Sequence, residues 1–356
     1  MAVKRKPKPL LIIIVIILIT ILIGLITINI MISPTDKSSK ADIEVVIPSG
    51  TNTSGIGKIL KEKNLIRSEL FFKVYIKTNK IKSLKASTYA LKKSMSLDKI
   101  VEILEKGNSY NPNAIKLTFP EGRNISEYIS LIADNTNHTE EEVKKQFNDR
   151  EYIKALTKKY WFLTTEILDE DIYYPLEGYL HPDTYYFKDK DVDVKTIIET
   201  MLSETEEILA KYKNSIGQNI NKYIIMASML EIEGTNTTNR KMIAGVFNNR
   251  LENNMNLGCD ATTYYALQLP MTRDLTTAEF NTNNPYNTRA KTMIGKLPIG
   301  AICNPSISSI EASINPTASN YLYFVADKNG VIYYTKTLQE HQQAVKEIKE
   351  KGDWIW

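Results

Sequence analysis

Two glutamates near the end of an apolar segment are the residues best suited to acid–base chemistry. The segment, residues 221–236, reads NKYIIMASMLEIEGTN, which predicts a helix that is apolar on nearly all sides and therefore buried. Burying a carboxylate is costly. At about 100° per residue, Glu231 and Glu233 point to nearly opposite faces of this helix. We therefore expect only one of them to meet a substrate.

Glu231 is the better candidate because of its neighbours on the helix. Its face carries Ala227 and Ser228, which leave space above the carboxylate, whereas Glu233 shares its side with larger apolar residues. A carboxyl in such a partly dry site has a raised pKa, which a general acid near neutral pH requires. The alternative is that either glutamate caps the packing at the helix end or pairs with Arg240.

Three other segments supply polar candidates. LEGYLHPDTYYF, residues 176–187, interleaves tyrosines with hydrogen-bonding groups, a composition that suits sugar rings, although composition alone favours a tyrosine-rich strand and turn in a core. LGCDATTYYAL, residues 257–267, is interpreted as an extended segment with Asp260, Thr262 and Tyr264 lining a groove on one side. Arg250, near the apolar stripe of a helix predicted around residues 239–251, is a candidate buried partner for a carboxylate.

An apolar N-terminus precedes these elements. Residues 10–32 are almost wholly Leu, Ile and Val, with no charge between Lys8 and Asp36, and exceed the roughly 20 residues that span a bilayer as a helix. Four basic residues come first, so the predicted topology is single-pass type II in the cell membrane, with the bulk of the chain extracytoplasmic. The alternative is a cleaved signal peptide, but its apolar core would be shorter, and no A-x-A-like site follows.

Composition excludes several classes of function. The chain has 45 basic and 41 acidic residues, and without the four basic residues at the N-terminus these charges balance, so nothing indicates nucleic-acid binding. Only Cys259 and Cys303 occur, which excludes a disulfide framework but leaves one bridge open. The three histidines are far apart and lack zinc-site spacing, so we predict no metal site, no cofactor and no Ser-His-Asp triad.

The predicted fold class is α+β, a single transmembrane helix followed by a small LysM-like module and a mixed catalytic region. The predicted boundaries are a cytoplasmic stub at 1–9, the membrane helix at 10–32, a linker at 33–42, the module at 43–108, a connecting α+β region at 109–215 and a catalytic domain at 216–356. A linker of about ten residues reaches some 35 Å when fully extended, at roughly 3.3–3.6 Å per residue. The anchor therefore favours membrane-near, nascent substrate.

The sequence resembles the endolytic murein transglycosylase family, also called YceG-like, over nearly its whole length. The matching motifs, in chain order, are V-x-I-P-x-G at 45–50, L-K-A-x-T-Y at 84–89, E-G-x-L-x-P-x-T-Y at 177–185, A-S-x-x-E-x-E at 227–233, V-F-x-N-R-L at 246–251, D-x-T-x-x-Y at 260–265, P-Y-N-T at 285–288, L-P-x-G-x-I-x-N-P at 297–305 and N-Y-L-Y-F-V-A-D at 320–327. Gly258 and Ala261 replace the family's usual Gln and Pro, and Ser87 replaces a Gly.

The resemblance implies a lytic enzyme that cuts peptidoglycan glycan strands between N-acetylmuramic acid and N-acetylglucosamine, within the strand, and leaves 1,6-anhydro ends. It implies that Glu231 is the catalytic acid, which protonates the leaving oxygen and then takes the proton of the sugar's C6 hydroxyl as that group attacks. The nucleophile is tethered, so neither a water nor a metal has to be held. The family also implies a position near cell-wall synthases.

We also expect nine residues to bind substrate: Glu177, Thr184, Tyr185, Asn248, Arg250, Asp260, Thr262, Tyr286 and Asn287. The LysM-like module is expected to position glycan, with a structural spacer as the alternative. Two other functions remain open at this stage. One is a noncatalytic glycan-binding scaffold of the cell-wall machinery, and the other is a hydrolytic, lysozyme-like enzyme.

Overall fold

The chain divides into two compact units, residues 1–113 and 114–356. The computed structural model describes residues 9–107, 111 and 113–354, without the side chains of residues 9–15 and 218. The predicted cytoplasmic stub therefore lies outside the described residues, apart from the backbone of Pro9.

The first unit combines an N-terminal helix with a small module of two strands and three helices. Its elements are α1 (Pro9–Ile32), β1 (Ile43–Ile47), α2 (Thr53–Glu62), α3 (Glu69–Thr78), β2 (Ser87–Leu91) and α4 (Leu97–Lys106). The two strands pair antiparallel, with Val45 opposite Tyr89, and their inward side chains pack against Leu60 and Phe72. The hydroxyl of Ser68 accepts the N–H of Phe71 and so caps the start of α3.

The helix α1 has 24 residues and consists almost entirely of apolar residues. Its large apolar side chains between Ile16 and Ile30 are about half exposed. Among the residues that the structure describes, no helix meets the combined length and hydropathy expected of a membrane span.

The second unit is mainly helical, with two separate two-stranded sheets. Its elements are β3 (Ile115–Thr118), α5 (Ile125–Asn135), α6 (Glu140–Phe147), α7 (Arg150–Lys159), a 3₁₀ helix (Thr165–Leu168), β4 (Thr184–Phe187), α8 (Val194–Ala210), α9 (Lys213–Ile216), a 3₁₀ helix (Gly217–Asn219), α10 (Ile220–Glu233), α11 (Thr237–Glu252), α12 (Asp260–Ala266), α13 (Thr277–Phe280), a 3₁₀ helix (Lys291–Met293), α14 (Ile307–Ile314), β5 (Tyr323–Ala326), β6 (Ile332–Thr335) and α15 (Leu338–Glu350). Strands β3 and β4 pair antiparallel, as do β5 and β6.

The helix α10 lies between two hydrophobic cores. Ile224 and Ala227 belong to a core that also contains residues of α5 to α8, whereas Met229 and Leu230 belong to a core built with α11 and α12. This position explains why the segment is apolar on nearly all sides, and the buried helix predicted there is confirmed. The segments 109–215 and 216–356, which were predicted as separate regions, share the first of these cores.

The prediction that residues 257–267 are extended is wrong. Asp260 is the first residue of the helix α12, whose backbone begins after Cys259. Thr262 and Thr263 are both fully buried, so strand-like alternation between a groove and a core does not occur. The threonine hydroxyls instead bond to Thr288 and Asn287, and these tertiary contacts override the β-propensity of the Thr and Tyr residues.

Candidate active site

Glu231 lies in the last turn of α10, next to the start of α11. The helix ends at Gly234, and a side chain at that position would collide with Arg240 of α11. The glycine therefore lets the two helices approach closely enough for the Arg240 guanidinium to reach Glu231. The pair is largely buried, because the side chain of Glu231 is 7% exposed and that of Arg240 is 14% exposed.

The Glu231 carboxylate accepts four hydrogen bonds. Arg240 Nη2 donates to Oε1 at 2.7 Å. The backbone N–H of Ser306 donates to Oε2 at 2.9 Å, and the Ser306 and Ser309 hydroxyls each donate to the same oxygen at 2.6 Å. Ser306 is the N-cap of α14, so the carboxylate also lies at the positive end of that helix. These charge-assisted bonds stabilise the negative charge and fix the carboxylate in one orientation.

The space expected above Glu231 is filled by the segment before α14. The Ser228 hydroxyl accepts the N–H of Ile302 at 3.1 Å, and the Cys303 thiol donates to the Ser228 carbonyl at 3.3 Å. The small residues of this face thus allow a loop to pack closely and bring Ser306 to the carboxylate. The pairing of Glu231 with Arg240, which the sequence left open as an alternative, is what the structure contains.

A second loop, residues 121–123, borders Glu231 from the side of α5. The Gly122 N–H donates to the Asn304 carbonyl, and the Asn304 N–H donates to the Arg123 carbonyl, both at 2.9 Å. Glu121 is exposed at this edge. Partial desolvation raises the pKa of the Glu121 carboxyl, the charge of Glu231 raises it further, and Arg240 opposes both effects.

Glu177 is buried, and its carboxyl is bound by donors of the protein itself. It is 3% exposed, and its carboxyl accepts the Ile125 N–H, the Tyr265 hydroxyl and Asn304 Nδ2 at distances of 3.0 to 3.1 Å. The Asn304 side-chain oxygen in turn accepts the N–H of Gly178 at 3.0 Å. Burial raises the pKa of Glu177 to about 8, against the lowering effect of its donors. This side chain does not reach the surface, so its predicted contact with substrate stays a prediction that the geometry does not favour.

Glu233 lies on another side of α10 from Glu231 and belongs to a different cluster. Burial raises the pKa of the Glu233 carboxyl, while a hydrogen bond with the Cys259 side chain lowers it. Asp260 forms an ion pair with Arg289 in the same cluster, and its side chain is 48% exposed. The two glutamates therefore have separate partners, as the helical spacing predicts, and Asp260 does not belong to the partners of Glu231.

The remaining predicted substrate residues are dispersed through the second unit. Five of the nine are buried, namely Glu177, Tyr185, Thr262, Tyr286 and Asn287. Their polar side-chain groups are engaged within the protein, as in the bond from Thr262 to the Cys259 carbonyl and the bonds from Asn287 to the carbonyls of residues 280 and 282. The structure thus shows these five engaged within the protein, and their contact with sugar stays a prediction. Thr184, Asn248, Arg250 and Asp260 are partly exposed.

Arg250 holds the loop after α11 in place by hydrogen bonds to backbone carbonyls. Its guanidinium donates to the carbonyls of Leu322, Asn256 and Leu257, at 2.6, 3.3 and 2.7 Å. Arg250 was predicted to pair with a carboxylate. In the structure its link to one is electrostatic, since burial lowers the pKa of Arg250 and the charge of Glu233 raises it. The structure also answers the question of a disulfide, since Cys259 and Cys303 are both free and buried.

Four residues at the Glu231 site were missed or mentioned only as an alternative: Glu121, Arg240, Ser306 and Ser309. For Ser306 the sequence contained a signal of a helix N-terminus, because this residue follows the N-P pair that ends a recognised motif and has the residue type of an N-cap. No local pattern indicates that the serines contact a glutamate 75 and 78 residues earlier in the chain.

Comparison with known proteins shows which family this chain is related to. The model of the YceG-like family matches residues 45–347, a stretch that includes Glu231, Arg240 and both serines. The chain belongs to the YceG-like family. The resemblance inferred from its motifs is thereby confirmed.

Two curated relatives carry the name endolytic murein transglycosylase. The protein from Bacillus subtilis (strain 168) is 36% identical over 328 residues, which cover 91% of this chain and 89% of the relative. The protein from Streptococcus pneumoniae serotype 2 (strain D39 / NCTC 7466) is 33% identical over 333 residues, which cover 88% of this chain and 60% of the relative. A crystal structure described as a yceG-like protein from Listeria monocytogenes is 37% identical, with a TM-score of 0.61, and the match covers 86% of this chain and 100% of that one.

Proposed function

We propose that this protein is a membrane-anchored lytic transglycosylase that cuts peptidoglycan glycan strands internally, between N-acetylmuramic acid and N-acetylglucosamine, and leaves 1,6-anhydro ends. The enzyme class and the polymer follow from the family and from the names of its relatives. The observation that carries the mechanism is the Glu231 carboxylate, which is held between Arg240 and the N-terminus of α14.

Glu231 acts twice in the proposed reaction. As a carboxylic acid it gives its proton to the leaving glycosidic oxygen while the bond to C1 of the muramyl sugar breaks. As a carboxylate it then takes the proton from the C6 hydroxyl, whose oxygen bonds to C1 and closes the anhydro ring. The proton taken up replaces the proton given, so the protein returns to its starting state without water as a reactant.

The neighbours of Glu231 favour the first of these steps. Arg240, Ser306 and Ser309 stabilise the carboxylate, which is the form that exists once the proton has left. Positive charge develops on the sugar at the same stage, so an ionised and immobile carboxylate stabilises the oxocarbenium-like transition state. These groups are already in place before substrate binds, which removes the cost of arranging them during the reaction.

The membrane anchor is part of the same proposal. Residues 10–32 are uncharged, and the large apolar side chains of α1 between Ile16 and Ile30 are exposed, a surface that is costly in water. We place the N-terminus in the cytoplasm, because four basic residues precede the helix, and both folded units outside. The anchor then restricts the enzyme to nascent glycan near the membrane, the region where cell-wall synthases act.

The first unit is proposed to position glycan. A groove of about 580 Å³ in the module is lined by Thr53, Ser54 and four lysines, with Ile76 and Ile81 between them. Hydroxyl, ammonium and apolar groups together suit a sugar chain that carries acidic substituents. Removing this function is expected to weaken binding to long strands while the chemical step at Glu231 is retained.

Digestion of purified peptidoglycan tests the activity. The full chain in detergent is incubated with the polymer, and the products are analysed by mass spectrometry for anhydro-muramyl ends. Wild type is expected to produce these ends, and Glu231→Gln is expected to lose more than about 99% of the rate because the amide cannot exchange the proton. Glu252→Gln, an exposed residue at the end of the neighbouring helix, is the control and is expected to cut normally.

The products also separate the competing functions. Reducing ends in place of anhydro ends identify a hydrolase. Binding to the polymer without any new ends identifies a noncatalytic scaffold. Undiminished anhydro ends from Glu231→Gln contradict the assignment of the acid while leaving the activity in place.

A further inference from the structure

The end of α1 is fastened to the module that follows it. Ile32, the last residue of the helix, packs against the core of the module. Arg67 Nη2 donates to the Pro34 carbonyl at 2.7 Å, and the Thr35 hydroxyl donates to the Asn64 carbonyl at the same distance. These contacts fix the module at the end of the helix, at a point where the sequence predicts a linker. With α1 as the proposed anchor, the module lies directly at the bilayer surface.

Four basic residues lie around this end of α1. Lys63 and Arg67 belong to the segment that bonds to residues 34 and 35, and both are exposed. The carbonyl of Lys93 accepts the Asp36 N–H at 3.1 Å, and the next residue, Lys37, is exposed. Asp36 brings one negative charge into this group. The surface where the helix enters the module is therefore basic.

The first unit as a whole carries an excess of positive charge. Residues 33–107 contain 15 basic and 8 acidic residues, whereas residues 114–356 contain 26 basic and 33 acidic residues. Near the end of α1, the acidic Glu62 and Glu69 pair with lysines of their own helices, at 4.0 and 3.3 Å. Lys and Arg residues next to a membrane helix attract anionic headgroups.

Exposed apolar side chains accompany these basic residues. Leu70, in the first turn of α3, comes three residues after Arg67 and is 73% exposed. Val74, one helical turn later on the same face, is 52% exposed. Apolar residues beside Lys and Arg are typical of a helix that lies in the membrane interface, where burial of the apolar side chains is favourable. The exit surface is defined here as Lys37, Lys63, Arg67, Leu70, Val74 and Lys93.

We propose that the exit surface binds the outer face of the bilayer, with its basic residues on anionic phospholipid headgroups and its two apolar side chains among them. This inference rests on the proposed membrane anchor and goes beyond it, because the module becomes a second membrane contact. The anchor alone lets the module turn about the axis of α1. The second contact stops that rotation and holds the module in one orientation relative to the bilayer.

The groove proposed for glycan is a separate surface. It includes Lys80 and Lys82, which follow the C-terminal end of α3, whereas the exit surface lies at the N-terminal end of that helix. Ten residues of helix are about 15 Å long, which exceeds the screening length of about 10 Å at 0.1 M salt. The charges at the two ends of α3 therefore act nearly independently and are tested separately.

Fluorescence of the full chain in lipid nanodiscs tests the contact. Leu70→Cys is labelled with the environment-sensitive probe NBD, and wild type taken through the same labelling gives the background, since Cys259 and Cys303 are buried. The emission is expected to shift to the blue in discs that contain phosphatidylglycerol, relative to discs of phosphatidylcholine alone. The same probe on Glu141→Cys, an exposed position of α6 in the second unit, is expected to emit equally in both.

Two double variants with the same change of charge identify the lysines responsible. Phosphatidylglycerol is titrated into the discs, and the emission of the probe at position 70 gives the ratio of docked to undocked module. Lys37→Gln/Lys63→Gln is expected to lower this ratio roughly 25-fold, since each lysine at an anionic surface contributes about fivefold. Lys80→Gln/Lys82→Gln is the control and is expected to follow the parent. Salt at about 1 M, where the screening length is about 3 Å, is expected to remove the blue shift.

Three results overturn the inference. One is equal emission in the two kinds of disc. Another is an equal loss in both double variants, which indicates the net charge of the unit instead of the exit surface. The third is a blue shift that soluble acidic glycan produces in phosphatidylcholine discs, which assigns the surface to a polymer.

Failure of the proposed anchor gives a different result. A full chain that does not enter the discs, as seen by size-exclusion chromatography, contradicts the anchor and the inference with it. A chain that enters the discs but shows no lipid-dependent emission contradicts the inference alone. The assay for anhydro ends tests the catalytic proposal independently of both.

Discussion

The guanidinium of Arg240 donates to the carboxylate of Glu231 at 2.7 Å, and both side chains are largely buried. The pair connects α10 to α11 next to the glycine that joins them. An acid that is proposed to exchange protons is thus also a structural contact between two core helices. Replacement of either partner therefore affects stability as well as chemistry.

Arg240→Met is expected to be more damaging than removal of a surface arginine. Removing one partner leaves a mostly buried carboxylate without its counter-charge, and we expect a loss of roughly 2–3 kcal/mol in the free energy of unfolding, below the value for a fully buried pair. We also expect at least about a tenfold loss of cutting rate. Urea unfolding and the assay for anhydro ends provide the two measurements.

The matched control is Arg273→Met. Arg273 pairs with Glu279, but its side chain is 41% exposed, so its loss is expected to cost no more than about 1 kcal/mol and to leave the rate unchanged. Equal losses for the two variants contradict the assignment of a special role to Arg240.

Ser309→Ala is expected to reduce activity without preventing folding. The Ser309 hydroxyl donates to Glu231 at 2.6 Å, and a hydrogen bond to a charged group contributes roughly 1.5–3 kcal/mol, which corresponds to at least about a tenfold loss of rate if it acts fully in the transition state. Ser313→Ala, also buried and on the same helix, is the control because, among the described residues, the Ser313 hydroxyl bonds only to the Ile310 carbonyl within α14. An equal loss of rate in both variants indicates general damage to α14 instead.

Glu177 is expected to make stability depend on pH. Its folded pKa of about 8 is raised above the unfolded value near 4.5, so its favourable contribution is fully present below pH 4.5 and is lost as the pH rises through 8. Within that window the free energy of unfolding falls by up to about 1.4 kcal/mol per pH unit relative to Glu177→Gln. Urea unfolding between pH 5.5 and 7.5, followed by tryptophan fluorescence, measures the difference, and Glu141→Gln should retain the wild-type slope. Parallel curves for wild type and Glu177→Gln contradict the expected ionisation.

Gly178→Ala is expected to cost more than a glycine replacement at an open turn. Gly178 has a φ of +88°, and a Cβ there would lie 2.6 Å from both Ala301 and Ile224. Backbone strain and overpacking together predict a loss of roughly 2–4 kcal/mol. Gly330 has a similar φ of +78°, but a Cβ there would meet no described atom within 4 Å beyond its chain neighbours, so Gly330→Ala should show only the backbone cost of about 1 kcal/mol. Denaturant midpoints compare the two, and equal costs contradict a tight contact at Gly178.

The sequence predicts the position of Glu231 well and its partners poorly. The apolar pattern of α10 and the spacing of Glu231 and Glu233 are local properties, and helical geometry converts them directly into faces. The donors from Ser306 and Ser309 come from a distant part of the chain, and only the packing of α14 against α10 brings them to the carboxylate. Local periodicity contains no information about such contacts.

Several motif residues that the sequence predicts as substrate ligands are buried in the structure. Glu177 and Asn287 have residue types that suit sugar recognition. In the structure both accept hydrogen bonds from other parts of the protein, from Ile125 and Thr263 among others. Residue type does not distinguish a hydrogen bond to a ligand from one to the backbone. At Asp260 the error is one of secondary structure, because a short helix rich in Thr and Tyr has the local preferences of a strand.

The contacts of Glu231 determine how much of the chain must be made before the site is complete. The acid lies on α10, but two of the three residues that hold it are Ser306 and Ser309, which are synthesised 75 and 78 residues later. A nascent chain that has been synthesised only as far as α11 has Glu231 and Arg240 but lacks both serines. The site is thus completed late in synthesis, and a chain that ends at α11 does not yet carry all of it.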